Sequence, residues 1–243
     1  MRPCLLIPCF DHGVPLRGVL ESLAPFGLRC LVIDDGSAEP TQALLARAQR
    51  ELGFVRVERL AENRGKGVAL AAGYRLAASE GFTHALQLDA DGQHDVAAVP
   101  AFLDAMQKTP EAIVLGQPVF DESAPLARIW ARKLSVGAVW LATLSREIHD
   151  PLCGMRGVPL ELALRVLGEH AHGPRMEFDP EFAVRCVWAG APVVNVPVRV
   201  SYPTNGLSHF DVARDYPAMA ATYARLWTGM LARAPRLLAR GAR

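Results

Sequence analysis

Short apolar runs alternate with segments of helical spacing through the first half of the chain. Residues 4–10 form an apolar run that predicts a strand, and residues 14–26 repeat their apolar positions with helical period. A strand over 29–33, a helix over 41–52 and an alternating strand over 54–59 follow. An alanine-rich helix over 67–79, a strand over 83–88, a helix over 96–107 and a strand over 112–116 complete the series. Strands and helices in strict alternation predict an α/β fold, with a mostly parallel central sheet and helices on both faces. The second half is less regular. It predicts a long helix over 124–146, shorter ones over 159–167 and 180–189, a strand over 193–200 and a helical segment over 212–240. Pro197 cannot donate to a ladder, which places the last strand at a sheet edge or that residue at a strand end.

Polar residues gather where the strands stop. Pro8-Cys9-Phe10-Asp11 leaves the first strand and Asp34-Asp35-Gly36-Ser37 the second. Asn63-Arg64-Gly65-Lys66-Gly67 follows the third, and Asp89-Ala90-Asp91-Gly92-Gln93-His94 the fourth. Open parallel sheets bind ligands outside the carboxyl ends of their strands, so four such clusters on one edge define a candidate site. Asp89 and Asp91 carry the sharpest signal. Two carboxylates one residue apart after an apolar strand repel each other and lose solvation unless a cation sits between them. A divalent ion held by one or two carboxylates keeps positions open for phosphates, whereas a solvated Asp-Gly turn is the bland alternative.

Asp35-Gly36-Ser37 reads either as a turn with a helix cap or as a carboxylate facing a nucleotide base or ribose. Lys66 between two glycines offers a point charge to a phosphate, and an ordinary solvated helix start explains the same residues. Neither a Walker A loop nor a Gly-x-Gly-x-x-Gly fingerprint is present.

Composition narrows the class. With 243 residues and 51% hydrophobic content the chain can bury a large core, and a formal charge of +1 with no zinc-finger or RNA-binding signature argues against a nucleic-acid partner. Five cysteines without a Cys-x-x-Cys pair read as buried thiols of a reducing compartment, so a cytoplasmic protein is expected. The N-terminal apolar run is too short for a signal peptide, and the stretch over 136–144 is far short of the roughly 20 residues a spanning helix needs. Any membrane contact is therefore expected to be peripheral, at the inner face of the cytoplasmic membrane.

Taken together the four clusters resemble, in order, the motifs of family 2 nucleotide-sugar glycosyltransferases. The resemblance continues through Asp150-Pro151-Leu152-Cys153-Gly154-Met155-Arg156, Met176-Glu177-Phe178-Asp179-Pro180-Glu181 and Val196-Pro197-Val198. The pattern is most similar to the branch of dolichol-phosphate mannosyltransferases and bacterial polyprenyl-phosphate glycosyltransferases, and it spans roughly residues 3–210. It implies a GT-A, Rossmann-like domain over 1–210, with a nucleotide-binding part about 1–118 and an acceptor-side part about 119–210. Residues 211–243 remain as a C-terminal helical segment.

The resemblance also implies a GDP- or UDP-linked sugar donor contacted by Pro8, Phe10, Asp11, Asp35, Lys66, Asp89, Ala90 and Gln93. Asp89 and Asp91 would hold Mg2+ or Mn2+ against the diphosphate, with His209 as a further diphosphate or metal contact from the 201–210 stretch. Arg128, Arg132 and Arg156 would position the phosphate of a lipid-linked acceptor such as polyprenyl phosphate, Arg156 also serving catalysis. An acceptor that is already anionic needs little help from a base; a hydroxyl acceptor on a lipid or polyene-like intermediate would need Asp179 or Glu181 to take its proton. Both acids also fit a bland reading as first-turn residues of a helix, with Pro180 beside them.

Two departures stand out. The Tyr-Asn-Glu that usually follows the first proline is Phe10-Asp11-His12 here, which leaves the nucleotide open. Cys153 stands where the family has serine. These departures keep alive a non-catalytic sugar-nucleotide-binding scaffold as a rival, whereas a nucleotidyltransferase would carry a glycine-rich, arginine-containing loop after the first strand, which Cys9-Phe10-Asp11-His12-Gly13 does not provide. The arginine-bearing apolar segment over 226–240 reads equally as a membrane-surface helix or as a helix packed on the domain.

Overall fold

In the computed structural model the described residues are 1–120, 126–169, 171–201 and 211–241, the side chains of residues 126–128 and 240 excepted. Strands β1 (Pro3–Cys9), β2 (Cys30–Asp34), β3 (Val55–Arg59), β4 (His84–Gln87), β5 (Ile113–Phe120), β6 (Arg156–Pro159) and β7 (Val193–Val200) build one seven-stranded sheet in the order β3-β2-β1-β4-β6-β5-β7. The first four pair in parallel, as do β5 and β7. Only β6 runs against its neighbours β4 and β5. The α/β architecture expected from the alternating pattern is therefore present.

The central strands are apolar on both faces because both faces are covered. Leu5, Ile7 and Cys9 of β1 pack with Leu16 and Leu20 of α1 (Gly13–Leu23), Leu45 of α2 (Glu39–Glu51) and Phe102 of α4 (Val99–Lys108). Cys4 and Leu6 point the other way. They join Leu70 and Tyr74 of α3 (Lys66–Ser79), Val166 of α6 (Leu160–Glu169) and Phe182 of α7 (Phe178–Trp188). Val139 of α5 (Leu126–Thr143) and Leu226 of α8 (Val212–Gly241) extend that second core. All five cysteines are buried and unpaired.

Two elements differ from the sequence expectation. Residues 156–159 form a strand instead of leading into a helix, and α6 starts only at Leu160. Four residues are too few to show a period, and Gly157 is there because any Cβ would press on Met106 and Val114. β5 continues to Phe120, drawn out by its ladder with β7, whose Pro197 lies on the sheet edge as its missing N–H requires. Helix α8, in keeping with the helical segment expected over 212–240, runs through Pro217 and Pro235 as one element. Each proline removes one backbone donor, and packing against α5 and α7 carries the helix past it. Trp227 Nε1 donates to the Ala138 carbonyl at 3.0 Å, and the Arg233 guanidinium lies 4.5 Å from the Trp188 ring centre. Among the described residues, no helix is long and apolar enough to cross a membrane.

Candidate active site

The carboxyl ends of β1, β2 and β4 open into a cavity of about 1080 Å3. Pro8 forms part of its floor for a topological reason. Cys9 O accepts from Asp35 N on the β2 side, and Leu6 O accepts from Leu88 N on the β4 side. Pro8 therefore faces the β4 side, but the β1–β4 ladder ends at Leu6 and Gln87. Proline at position 8 has no N–H with which to carry that ladder further.

Part of the acidic cluster builds the site instead of facing it. Asp34 accepts from Ser37 N at 2.9 Å and from Arg59 Nη1 at 2.6 Å. Asp11 takes a left-handed φ of 52° and accepts from Ala38 N at 2.8 Å, which turns the chain from β1 into α1 and ties it to the start of α2. Asp11 does not line the cavity, whereas Phe10, His12 and Asp35 do. Asp35 accepts from Arg64 N and Gly65 N at 2.9 and 2.7 Å. Burial lifts its pKa above the ordinary carboxylate value, against the pull of those two N–H groups.

The glycines around Lys66 serve the chain itself. A Cβ on Gly65 would overlap the Pro174 carbonyl, and one on Gly67 would overlap Gly173 and Phe178. Gly67 N donates to Pro174 O at 2.8 Å, so the start of α3 is pressed onto the 173–178 loop. That pins Lys66 between two acids. Its Nζ lies 2.7 Å from Asp89 Oδ1 and 2.8 Å from Asp179 Oδ2. Burial works against the ammonium charge, yet Asp179 and Asp89 outweigh it and hold the lysine above its ordinary range. Burial likewise disfavours ionised Asp89, but Lys66 and His94 bring its pKa below normal. Asp91, without that contact, is raised by burial and by the Asp89 charge. Burial also opposes a charge on His94, and Cys153, Asp89 and Asp91 push it the other way, to about 9.

Gly154, from the Cys153-Gly154 segment, backs Asp89 so closely that any Cβ would overlap its carboxylate. Asp89 and Asp91 form an all-oxygen pair on one loop, a donor set suited to a hard divalent cation that keeps its other positions for phosphate and water. Among the described residues no group of three or more His, Cys, Asp or Glu side chains is placed to hold a metal ion.

Other expected site residues lie behind the wall. Arg156 is fully buried. Its guanidinium donates to the carbonyls of Cys153, Asp179 and Pro151 at 2.8, 2.7 and 2.6 Å, with Asp179 Oδ1 at 3.5 Å. The structure thus places it as a clamp on the 151–153 loop behind the cavity wall, out of reach of an acceptor phosphate. Glu181 is also buried, accepting from Gly173 N at 2.8 Å and from Arg185 Nη2 at 2.7 Å, and it does not line the cavity. Asp179 does, as do Ala90 and Gln93. Arg132 lines it too, aimed by Asp150, whose two oxygens accept from its Nη1 at 2.7 and 2.8 Å. The Arg128 side chain and His209 lie outside the described residues.

Residues outside the predicted site set complete the walls. Arg175 and Met176 line the donor side, and Arg175 Nε donates at 3.1 Å to Asp215, a fully buried acid in the first turn of α8. A basic residue directly before the Met176-Glu177 motif was the available hint. Beyond Arg132 the cavity turns apolar, with Leu134 and Ala138 of α5 facing Met219, Tyr223 and Trp227 of α8. One cavity therefore joins an acidic, lysine-bearing end to a greasy one, with an arginine between.

This chain belongs to glycosyl transferase family 2, whose model matches residues 4–156, and it is a glycosyltransferase. The polyprenol monophosphomannose synthase of Mycolicibacterium smegmatis is 27% identical over 227 residues, covering 90% of this chain and 84% of that protein. The GT-A fold is shared with glucosyl-3-phosphoglycerate synthase from Mycobacterium tuberculosis in complex with Mn2+, UDP-glucose and phosphoglyceric acid. That likeness has a TM-score of 0.62 at 16% identity and covers 94% of this chain and 79% of the other. A mannosyltransferase from Pyrobaculum calidifontis in complex with GDP-Man and Mn2+ gives a TM-score of 0.61 at 18% identity, covering 97% and 64%.

Proposed function

We propose that the protein transfers a hexose from a GDP- or UDP-linked donor to the phosphate of a lipid-linked acceptor of the polyprenyl-phosphate type, with inversion at the anomeric carbon. The observation that carries this reading is the continuity of the cavity, from Asp89, Asp91 and Lys66 through Arg132 to the apolar walls of α5 and α8. The relatives named for polyprenol- and dolichol-phosphate sugars support the acceptor class. Asp89 and Asp91 are the residues that would hold Mg2+ or Mn2+. Bound there, the ion would offset the charge that grows on the departing nucleotide diphosphate. Pro8, Phe10, Asp35 and Gln93 would contact the nucleotide or its phosphates, and Arg132 would receive the acceptor phosphate with Asp150 fixing its fork.

An anionic acceptor also suits Asp179. That carboxylate is engaged by Lys66 at 2.8 Å and would have to leave it to take a proton from a hydroxyl. The test is label transfer from GDP-mannose and UDP-glucose, assayed separately, to a short-chain polyprenyl phosphate with Mn2+. Labelled solvent-extractable lipid from one donor, lost on chelation, is the expected result. Nucleotide-dependent thermal stabilisation without labelled lipid from either donor would instead favour the scaffold or a different acceptor.

The same reading places the protein on a membrane surface. Trp130, Leu134 and Leu141 of α5 and Tyr216, Trp227, Leu231 and Leu238 of α8 are exposed in two apolar stripes, and Leu134, Tyr216 and Trp227 also line the cavity. A lipid could enter from the bilayer without crossing water. The buried free thiols suit the reducing, inner face of the cytoplasmic membrane. Flotation with anionic vesicles should recover the protein, and Leu134→Glu with Leu231→Glu should lower the bound fraction several-fold. Equal recovery of the variant would remove the membrane contact.

A further inference from the structure

Asp89, Asp91 and Asp179 all line the cavity, and Lys66 contacts two of them, Asp89 and Asp179. Its ammonium lies 2.7 Å from Asp89 Oδ1, and both side chains line the cavity. The Gly154 backbone packs directly on the same carboxylate, so closely that no Cβ fits there. Asp89 therefore has little freedom to turn away from the lysine. A divalent ion arriving alone would have to displace that ammonium or approach a like charge at a few ångströms. A nucleotide diphosphate changes both terms at once. It brings oxygen ligands for the ion, and it brings negative charge that can take over Lys66. The lysine can answer without backbone movement, since Gly65 and Gly67 fix the start of α3 while the Lys66 side chain lines the cavity.

We propose that Lys66 is a built-in counter-cation that keeps the acidic pair from taking up a divalent ion until a nucleotide diphosphate arrives, so that metal and donor bind as one strongly coupled event. The proposal rests on Asp89 and Asp91 being the metal pair. It adds a role in ordering and coupling to a lysine whose simpler expectation is a static phosphate contact. Coupling between two ligands is reciprocal, so it can be measured from the metal side alone, without turnover.

The experiment is Mn2+ titration followed by the electron paramagnetic resonance signal of the free ion, with and without saturating GDP or UDP. It uses the full chain as wild type, Lys66→Met and Asp179→Asn. In the wild type, the nucleotide that binds should raise Mn2+ affinity by about 100-fold, near the upper end of ordinary coupling. Lys66→Met should bind Mn2+ alone about tenfold more tightly than wild type, and the boost from nucleotide should shrink by a similar factor. Asp179→Asn should move the other way, since Lys66 then has Asp89 as its remaining carboxylate contact and holds it harder. Unchanged nucleotide-free affinity and an unchanged boost in Lys66→Met would overturn the proposal. Should that variant lose its circular dichroism signature, Asp179→Asn decides, and an affinity equal to or above wild type counts against. Absence of Mn2+ binding in the wild type with both nucleotides would sink the metal reading itself, and this proposal with it.

Discussion

Asp91→Asn is expected to lower kcat by about 10²–10³-fold, the cost typical of removing one charge-stabilising group from a preorganised site, and to leave the melting temperature unchanged or higher. The two halves of that result come from one property. Asp91 is an acid that folding disfavours in its ionised form, through burial and through the charge on Asp89. Among the described residues it has, unlike Asp89, no lysine within ion-pair distance, and it accepts a hydrogen bond from Gln93 N at 3.0 Å. Asparagine keeps an oxygen for that N–H and deletes the charge, so the folded state loses a repulsion and little else. A site acid retained at a cost to stability is the familiar signature of function. Label transfer measured beside thermal melting in metal-free buffer checks both halves. Full turnover would show that Asp91 is not a metal ligand, and a melting point several degrees lower would show that it braces the loop.

Much of this site was legible in the sequence because it follows from where strands stop. Apolar runs alternating with helical segments define a parallel sheet, and the clusters at 8–11, 34–37, 63–67 and 89–94 fall on its carboxyl edge by topology alone. What stayed hidden depends on contacts between distant segments. Asp34 and Asp35 are adjacent with similar burial, yet one braces Arg59 and the other opens on the cavity; only the fold decides which. The Gly65-Lys66-Gly67 spacing suggested close approach to a phosphate, whereas the glycines make room for Pro174 and Phe178. Strand β6 is too short to carry a period. The apolar wall of the cavity was hidden for a related reason. The spacing of α5 and α8 shows that each has a greasy face, and nothing local says that the two faces meet across a hollow.

Arg156 is the residue whose expected role changes most, and it carries the largest expected effect on stability. Arg156→Met should destabilise the protein by about 3–5 kcal/mol, the usual cost of removing one partner from a buried charged network. Replacing buried ionic groups with apolar ones is harmless only when the whole set goes together. Here the carbonyls of Pro151, Cys153 and Asp179 would stay behind without their donor, and the Asp179 carboxylate would lose its cation at 3.5 Å. In a chain of 243 residues that loss corresponds to a fall in melting temperature of roughly 10 °C. Arg156→Lys separates the two roles assigned to this position. A single ammonium cannot reproduce a planar fork that serves three carbonyls in different directions, so the lysine variant should also melt early while its surviving folded fraction keeps the acceptor KM. If Arg156 instead held the acceptor phosphate, lysine would preserve the charge and the fold, and the change would show in KM at constant melting temperature. The complete burial of the guanidinium favours the first outcome, because a side chain that no solvent molecule reaches cannot meet an acceptor unless the 150–154 loop first comes away from Asp89.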